Sequence, residues 1–433
     1  MTVEELRQAV ADGAVDTVLL AIADMEGRLQ GKRLTASHFL DDVLEHGAEG
    51  CNYLLAVDVE METVGGYAMA SWDTGYGDFE MVPDLDTLRP VPWLPGTAMV
   101  MADIQWGDGR EVLASPRQIL RRQLARLAER GLGANAATEL EFIVFRDTYE
   151  QAWKRGFQEL EPANLYNIDY SLLGTARVEP LIRRIRNEMG GAGMTVENSK
   201  GECNLGQHEI NFRYAEALRC ADDHAIYKNG AKEIAAQEEH AITFMAKFNQ
   251  REGNSCHIHC SLANADGGNA FAADEALFEH FVAGQIACMR DLTLFYAPHV
   301  NSYKRFAAGS FAPTAITWGR DNRTCSLRVV GHGEGLRVEN RLPGADVNPY
   351  LALSALIAAG LHGIDNELPL EPVFEGDVEQ LHAAADAEQR QIARQRPPRQ
   401  GDLEGVALGP GATRLGVGLG PVAGRVDVGA ARH

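Results

Sequence analysis

The chain has 433 residues, 45% of them hydrophobic, and a formal charge of −21. Such a length supports two or three domains with a sizeable buried core, and the acidity, with no basic stripe against it, excludes a nucleic-acid surface. No apolar run approaches the roughly 20 residues of a membrane span, and the opening MTVEELRQAV carries acids where a secretory signal is apolar; a cytoplasmic protein is expected.

Thr17–Met25 is apolar and β-prone until Gly27 and Gly31 break the run. Trp72–Asp84 reads as an aromatic, Gly-rich loop ending at a proline, and Val91–Asp103 as a strand entered through Pro92 and Pro95. Residues 1–108 are expected to form a small N-terminal domain. Ser115-Pro116 then opens a helix with periodic Ile119, Leu120, Leu124 and Leu127 and Gly131 as its stop. The larger domain, 115–376, starts with that helix. It continues with a strand at Ala137–Phe145, a helix near Glu179–Met189, a long helix near Asp222–Met245 and a strand at Ser255–Leu262. Helices near Asp274–Tyr296 and Asn348–Leu361 follow, and the mixture predicts an α+β fold with an antiparallel sheet.

Residues 377–433 contain no Phe, Tyr, Trp, Met, Cys, Lys, Asn or Ser. A stretch so poor in apolar surface does not offset its ordering entropy. Two readings stand: a flexible tail, or out-of-frame translation of a GC-rich gene, which the nucleotide sequence would decide. The seven cysteines are odd in number and lack a framework spacing, so they read as reduced thiols.

Four stretches carry the chemistry: Ala137–Phe145 (ATELEFIVF), Lys200–Phe212 (KGECNLGQHEINF), Gly253–Leu262 (GNSCHIHCSL) and Arg337–Pro349 (RVENRLPGADVNP). On a strand, residues two apart share a face, so Glu139 and Glu141 point one way and Leu140, Phe142 and Val144 the other. An exposed polar face explains most such pairs, yet Phe142–Phe145 is apolar on both faces, as in a central strand, where carboxylates need cations. His257 and His259 repeat the arrangement. Cys256 and Cys260 invite a zinc site, but they fall on the face opposite the histidines. Glu202 and Glu209 flank Gly206-Gln207, where the glycine suits a sharp turn into the strand. Glu339 and Arg341 share a face before a Pro-Gly turn. Oxygen donors with imidazole suit Mg²⁺ or Mn²⁺ better than structural zinc. Arg305, Arg323 and Arg328 supply forks for carboxylate or phosphate. With no Walker A loop, and with Pro421 ending the glycine run at Gly416–Gly420, a nucleotide would be held by metals and arginines.

In this order the Glu-x-Glu strand, Glu…Gly-Gln-His-Glu, Gly-Asn-Ser-x-His-x-His, Asn-Arg-Thr and Glu-Asn-Arg-x-Pro resemble the glutamine synthetase family, over residues 15–376. The resemblance implies an N-terminal β-grasp domain and a catalytic domain built on a curved antiparallel sheet. It implies one cation held by Glu141, Glu202 and Glu209 and a second by Glu139, His257 and Glu339. Gly253, Arg305 and Arg341 would hold L-glutamate; Arg323 and Arg328 would hold ATP phosphates; His259 and Ser261 would line the nucleotide site. Arg305, Arg323, Glu339 and Arg341 are the implied catalytic set, and the implied assembly is a homo-oligomeric ring with sites between subunits.

Two departures from the family bear on the amine. Ammonia-using members carry Asp-Gly-Ser-Ser in the N-terminal domain, whereas Val57–Tyr67 here reads VDVEMETVGGY. They also carry a glutamate before Ala-Pro in the flap, where this chain has Phe311. Losing two anions and gaining an aromatic suits a larger amine, which an aromatic face also attracts. The chain is most similar to the bacterial γ-glutamyl-amine ligases of this family, with Trp72 expected near the amine. An ethanolamine-like monoamine ranks first, a polyamine second and ammonia third; the other classes are an inactive, ligand-binding or regulatory relative and a metal-dependent hydrolase, which would leave the arginine cluster unexplained.

Overall fold

The computed structural model describes residues 1–379. Two sheets organise them. The first contains β1 (Thr17–Ala23), β2 (Leu29–Thr35), β3 (Ala48–Cys51), β4 (Asp78–Pro83), β5 (Arg89–Pro90) and β6 (Thr97–Gln105), in the order β2-β1-β6-β4-β3 with β5 also on β6. β1 and β6 run parallel, and the other pairs are antiparallel. β1 is buried on both faces, which explains its unbroken apolar run. Val18, Leu20 and Ile22 pack with Phe39, Phe79 and Met81. Leu19, Ala21 and Ala23 face a second core with Trp93, Met99 and Met101.

The second sheet contains β7 (Leu132–Phe145), β8 (Val196–Gly201), β9 (Gln207–Phe212), β10 (Ala215–Glu216), β11 (Ala241–Thr243), β12 (Cys256–Asn264), β13 (Trp318–Arg320), β14 (Leu327–Val330) and β15 (Arg337–Asn340). Its order is β13-β14-β15-β12-β7-β9-β8, with β10 and β11 also paired to β7. All pairs are antiparallel except β13 with β14 at the edge. Alternation decides which face meets the helices. Leu140, Phe142, Val144, Cys256, Ile258 and Cys260 enter the core with Ile182, Tyr227 and Leu353 from the helices Glu179–Gly191, Ala217–Gln237 and Pro349–Asp365. The polar residues between them are left on the other face.

Three sequence expectations change. The helix expected to reach Met245 ends at Gln237. Glu239 takes φ +58, and Ala241–Thr243 pairs with Phe145–Ile143 as β11, because Ile242 and Phe244 bury better on the sheet than on a helix running past it. The loop expected at Trp72–Asp84 turns into β4, whose Phe79 and Met81 fill the first core. Ser115 precedes the helix Pro116–Ala128, but its hydroxyl makes no capping bond. The tail read from residue 377 lies outside the described residues apart from Asp377, Val378 and Glu379. All seven cysteines are free thiols.

Candidate active site

Strand register collects the polar face into one line. Arg328 on β14 stands opposite Glu339 on β15, and Glu339 opposite His259 on β12. His257 on β12 stands opposite Glu139 on β7, and Glu141 opposite Glu209 on β9. Glu202 enters from the turn before β9, where Gly206 takes φ +70; a Cβ there would lie 2.5 Å from the Val144 carbonyl oxygen. The turn therefore needs glycine, as its sequence context implied.

Two groups of ligand atoms form on this face. One atom each from Glu139, His257 and Glu339 lie within 4.8 Å of one another, and so do one each from Glu141, Glu202 and Glu209. Asp169 and Cys203 extend the second group toward the rim through Glu202. In the first group Glu339 is fully buried and receives Arg328 Nη1 at 2.9 Å and Arg341 Nη1 at 2.5 Å. Burial alone would raise its carboxyl, but His257 and Arg341 hold it below its ordinary value. Burial likewise opposes the ionised form of Glu139, and bonds from His257 and His259 outweigh it, leaving this carboxyl well below its ordinary range. His257 is pushed down by burial and by Arg341, which favours the unprotonated imidazole that a metal ion needs. His259 accepts from Arg337 Nε at Nδ1 (3.2 Å), which leaves Nε2–H to donate to Glu139 at 2.9 Å.

In the second group Glu141 is gripped by donors. Ser255 N–H (2.8 Å), Ser255 Oγ (2.5 Å) and Gln207 Nε2 (3.0 Å) all donate to it. Glu209 differs: burial and the nearby Glu141 charge push its carboxyl up to about 7, against the pull of Lys200. Lys200 Nζ sits against Glu202 and 3.6 Å from Glu209.

A cavity of about 270 Å³ opens over both groups, and Arg305, Arg323, Arg328, Arg341 and Phe311 line it. Arg305 is 3% exposed and donates to the Leu342 carbonyl at 2.8 Å. Gly253 makes room for it: a Cβ there would lie 2.7 Å from Arg305 Cγ. The glycine thus admits an arginine as well as opening the cavity wall. Phe311 is 66% exposed at the rim. A second cavity, about 450 Å³, is lined by His259, Ser261 and Arg337 and shares Glu139 with the first. Trp72 lines neither; it is 86% exposed on the first sheet's long loop, edge-on to Tyr76. Cys256 and Cys260 lie buried on the far face, their thiols pushed up to about 12 by burial, which removes them from any metal centre with the histidines.

The glutamine synthetase catalytic-domain family matches residues 113–396. The chain is 67% identical over 371 residues to the γ-glutamylethanolamide synthetase of Streptomyces coelicolor, covering 85% of this chain and 80% of the relative. The chain belongs to the glutamine synthetase family. It is 38% identical over 379 residues to the glutamate–isopropylamine ligase of a Pseudomonas species, covering 86% and 83%. A solved ligand-free structure of GmaS superposes with a TM-score of 0.75 at 28% identity, covering 87% of this chain and 84% of the other.

Ligases of the glutamine synthetase family use ATP and divalent metal ions, and the residues present fit such ions. One group offers three carboxylates and the other two carboxylates with an imidazole, and the Glu141 charge that helps to raise Glu209 is what a cation would neutralise. Among the described residues, no helix is long and apolar enough to cross a membrane.

Four residues facing the site escaped the sequence reading. Arg337 continues the alternation of Glu339 and Arg341, so its place was available from spacing. Lys200 lies two residues before Glu202 on an edge strand and carried the same signal. Gln207 and Ser255 act on Glu141 through contacts that no spacing announces.

Proposed function

We propose that the protein joins ethanolamine, or a monoamine of its size, to the γ-carboxylate of L-glutamate at the expense of ATP. The observation that carries this reading is the convergence of six ligand side chains in two groups beneath Arg328 and Arg341. Phe311 at the rim, where ammonia users of the family have a carboxylate, supports an organic amine over ammonium.

Glu141, Glu202 and Glu209 would hold one divalent cation, and Glu139, His257 and Glu339 another. When bound, such cations neutralise charge on the phosphates and on the oxygen being phosphorylated. Arg305, Arg341 and Gly253 would seat glutamate, Arg341 being fixed by Glu339 and Arg305 by the Leu342 carbonyl. The γ-carboxylate oxygen attacks the γ-phosphorus of ATP, and ADP leaves. Arg323 and Arg328 would face that transfer with fixed positive charge, with Ser261 and His259 lining the nucleotide side. The amine nitrogen then attacks the acyl carbon, phosphate leaves, and the amine gives up a proton to a base.

Copies of the chain are taken to assemble as a ring in which a neighbour completes each site. Trp72, exposed as Val59 and Tyr67 are, would then reach a neighbour's cavity. We place the enzyme in the cytoplasm, with ATP and glutamate.

The test is ADP release with glutamate and a panel of ethanolamine, isopropylamine, putrescine and ammonium. Release requiring both glutamate and amine, fastest with ethanolamine, is the expected result. Fastest turnover with ammonium would make the protein a glutamine synthetase, and no amine-dependent release would make it a ligand-binding relative.

A further inference from the structure

The segment Glu371–Glu379 is held at five places although Glu371–Asp377 contains no helix or strand. Trp318 Nε1 donates to the Glu371 carbonyl at 2.8 Å, and Phe374 N–H to the Trp318 carbonyl at 3.0 Å. Asn322 Nδ2 donates to the Gly376 carbonyl at 2.8 Å, and Val378 N–H to Thr324 Oγ1 at 3.2 Å. Gly309 N–H donates to the Glu379 carboxylate. Val378 is 1% exposed, so the segment is packed down as well as hydrogen-bonded.

All of these partners lie on β13, on the turn that follows it, or on the loop leading to Phe311. That turn carries Arg323, and both Arg323 and Phe311 line the cavity. The turn does not hold its shape alone. Asp321 takes φ +48, in the left-handed region that few residues other than glycine, asparagine and aspartate adopt readily. At one end Arg328 fixes Asp321 through Nε (3.0 Å) and Nη2 (2.5 Å). At the other, Asn322 uses both ends of its amide. Its oxygen accepts from Thr324 N–H (3.0 Å) and Thr324 Oγ1 (2.8 Å), closing the turn around Arg323. Its nitrogen docks the closed turn on Gly376.

We propose that Glu371–Glu379 is a strap that sets the placement of Arg323 and Phe311 in the cavity, with Asn322 the positioning residue between strap and arginine. This rests on the part assigned to Arg323 under the proposed function. A strap tied to both loops also means that a change in the chain at its far end is felt at both the phosphate and the amine side of the cavity.

Asn322→Asp is the discriminating variant, because it keeps the acceptor for Thr324 and loses the donor to Gly376. A misplacement of about 1 Å at a reacting group lowers rates by up to about a hundredfold. The variant is therefore expected to lose kcat by at least about tenfold, with the KM for glutamate within about twofold. In an Arg323→Ala background the same change is expected to alter kcat by less than about twofold, since its effect passes through the arginine. Equal losses in both backgrounds, or no loss in the wild type, overturn the proposal. Hydrogen exchange of residues 307–312 and 319–325 gives a readout independent of turnover, and faster exchange in both segments is expected for Asn322→Asp and for Glu379→Ala. Unchanged exchange sinks the strap even if the wild type proves inactive, whereas an inactive wild type with the expected exchange sinks the functional reading alone. Thr324→Val, which removes the turn's bond to Val378 together with its hydroxyl bond to Asn322, substitutes if Asn322→Asp fails to fold.

Discussion

Ser255 holds Glu141 twice, through its backbone N–H at 2.8 Å and its hydroxyl at 2.5 Å, from the residue just before β12. Two such bonds fix both carboxylate oxygens, so the face that Glu141 offers to Glu202 and Glu209 is set before any ion arrives. Supports of this kind are worth about 10–100-fold in metal affinity. Ser255→Ala keeps one bond and loses the other. The variant is expected to need at least about tenfold more Mg²⁺ or Mn²⁺ for half-maximal activity, with its fold unchanged by circular dichroism. An unaltered metal requirement would show that the Ser255 N–H and Gln207 orient Glu141 without the hydroxyl.

Phe311 stands at the cavity rim and is 66% exposed, so replacing it leaves the core untouched. Phe311→Glu restores an anion beside the amine and removes an aromatic surface. The ratio of kcat/KM for ethanolamine to that for ammonium is expected to fall at least about tenfold. A ratio that does not move places amine selection elsewhere, with Trp72 of a neighbouring copy the next residue to change.

The centre of the site was legible because strand alternation is a strict rule. Glu139 with Glu141 and His257 with His259 could share a face only on strands, and adjacent strands in register then bring the pairs together. The Gly206 turn was legible for a steric reason. What stayed hidden depends on tertiary contact. Ala241–Thr243 continues an apolar pattern that suits a helix until β7 is there to pair with it. Asn322 looks like an ordinary turn residue until Gly376 lies opposite. The exposed Trp72 shows the converse limit: a residue can be singled out in sequence and still lie outside the lining of its own chain's cavity.

Arg117, on the helix Pro116–Ala128, ties that helix to β6 and to the helix Ala217–Gln237 and is 1% exposed. It donates to Asp222 through Nε and Nη2 (both 2.9 Å), to Asp103 through Nη1 (2.7 Å) and to Asp84 through Nη2 (2.6 Å). Tyr350 also donates to Asp222, at 2.7 Å. Arg117→Met would leave Asp222 ionised and buried without its cation, a loss of about 3–5 kcal/mol. Removing the orphaned charge as well, in Arg117→Met/Asp222→Asn, is expected to recover part of that. Urea unfolding of both variants checks this, and a double variant as unstable as the single one would mean that packing of the guanidinium outweighs its charge.

His224 is 3% exposed beneath β7, with Nδ1 3.1 Å from Thr138 Oγ1 and Nε2 buried without a partner. Burial lowers its pKa to about 3, from an unfolded value near 6.5. Below about pH 6.5 the unfolded chain therefore takes up a proton that the folded chain refuses, and stability falls as pH falls, by about 1.4 kcal/mol per unit until about pH 3. His208, lowered by burial to about 4, acts in the same direction over a shorter range. His224→Gln removes one of the two titrations. Between pH 6.5 and pH 5 the variant is expected to lose about 2 kcal/mol less than the wild type, whatever its stability at pH 8. Urea midpoints at the three pH values measure this, and parallel losses in the two proteins would mean that His224 is protonated in the folded state.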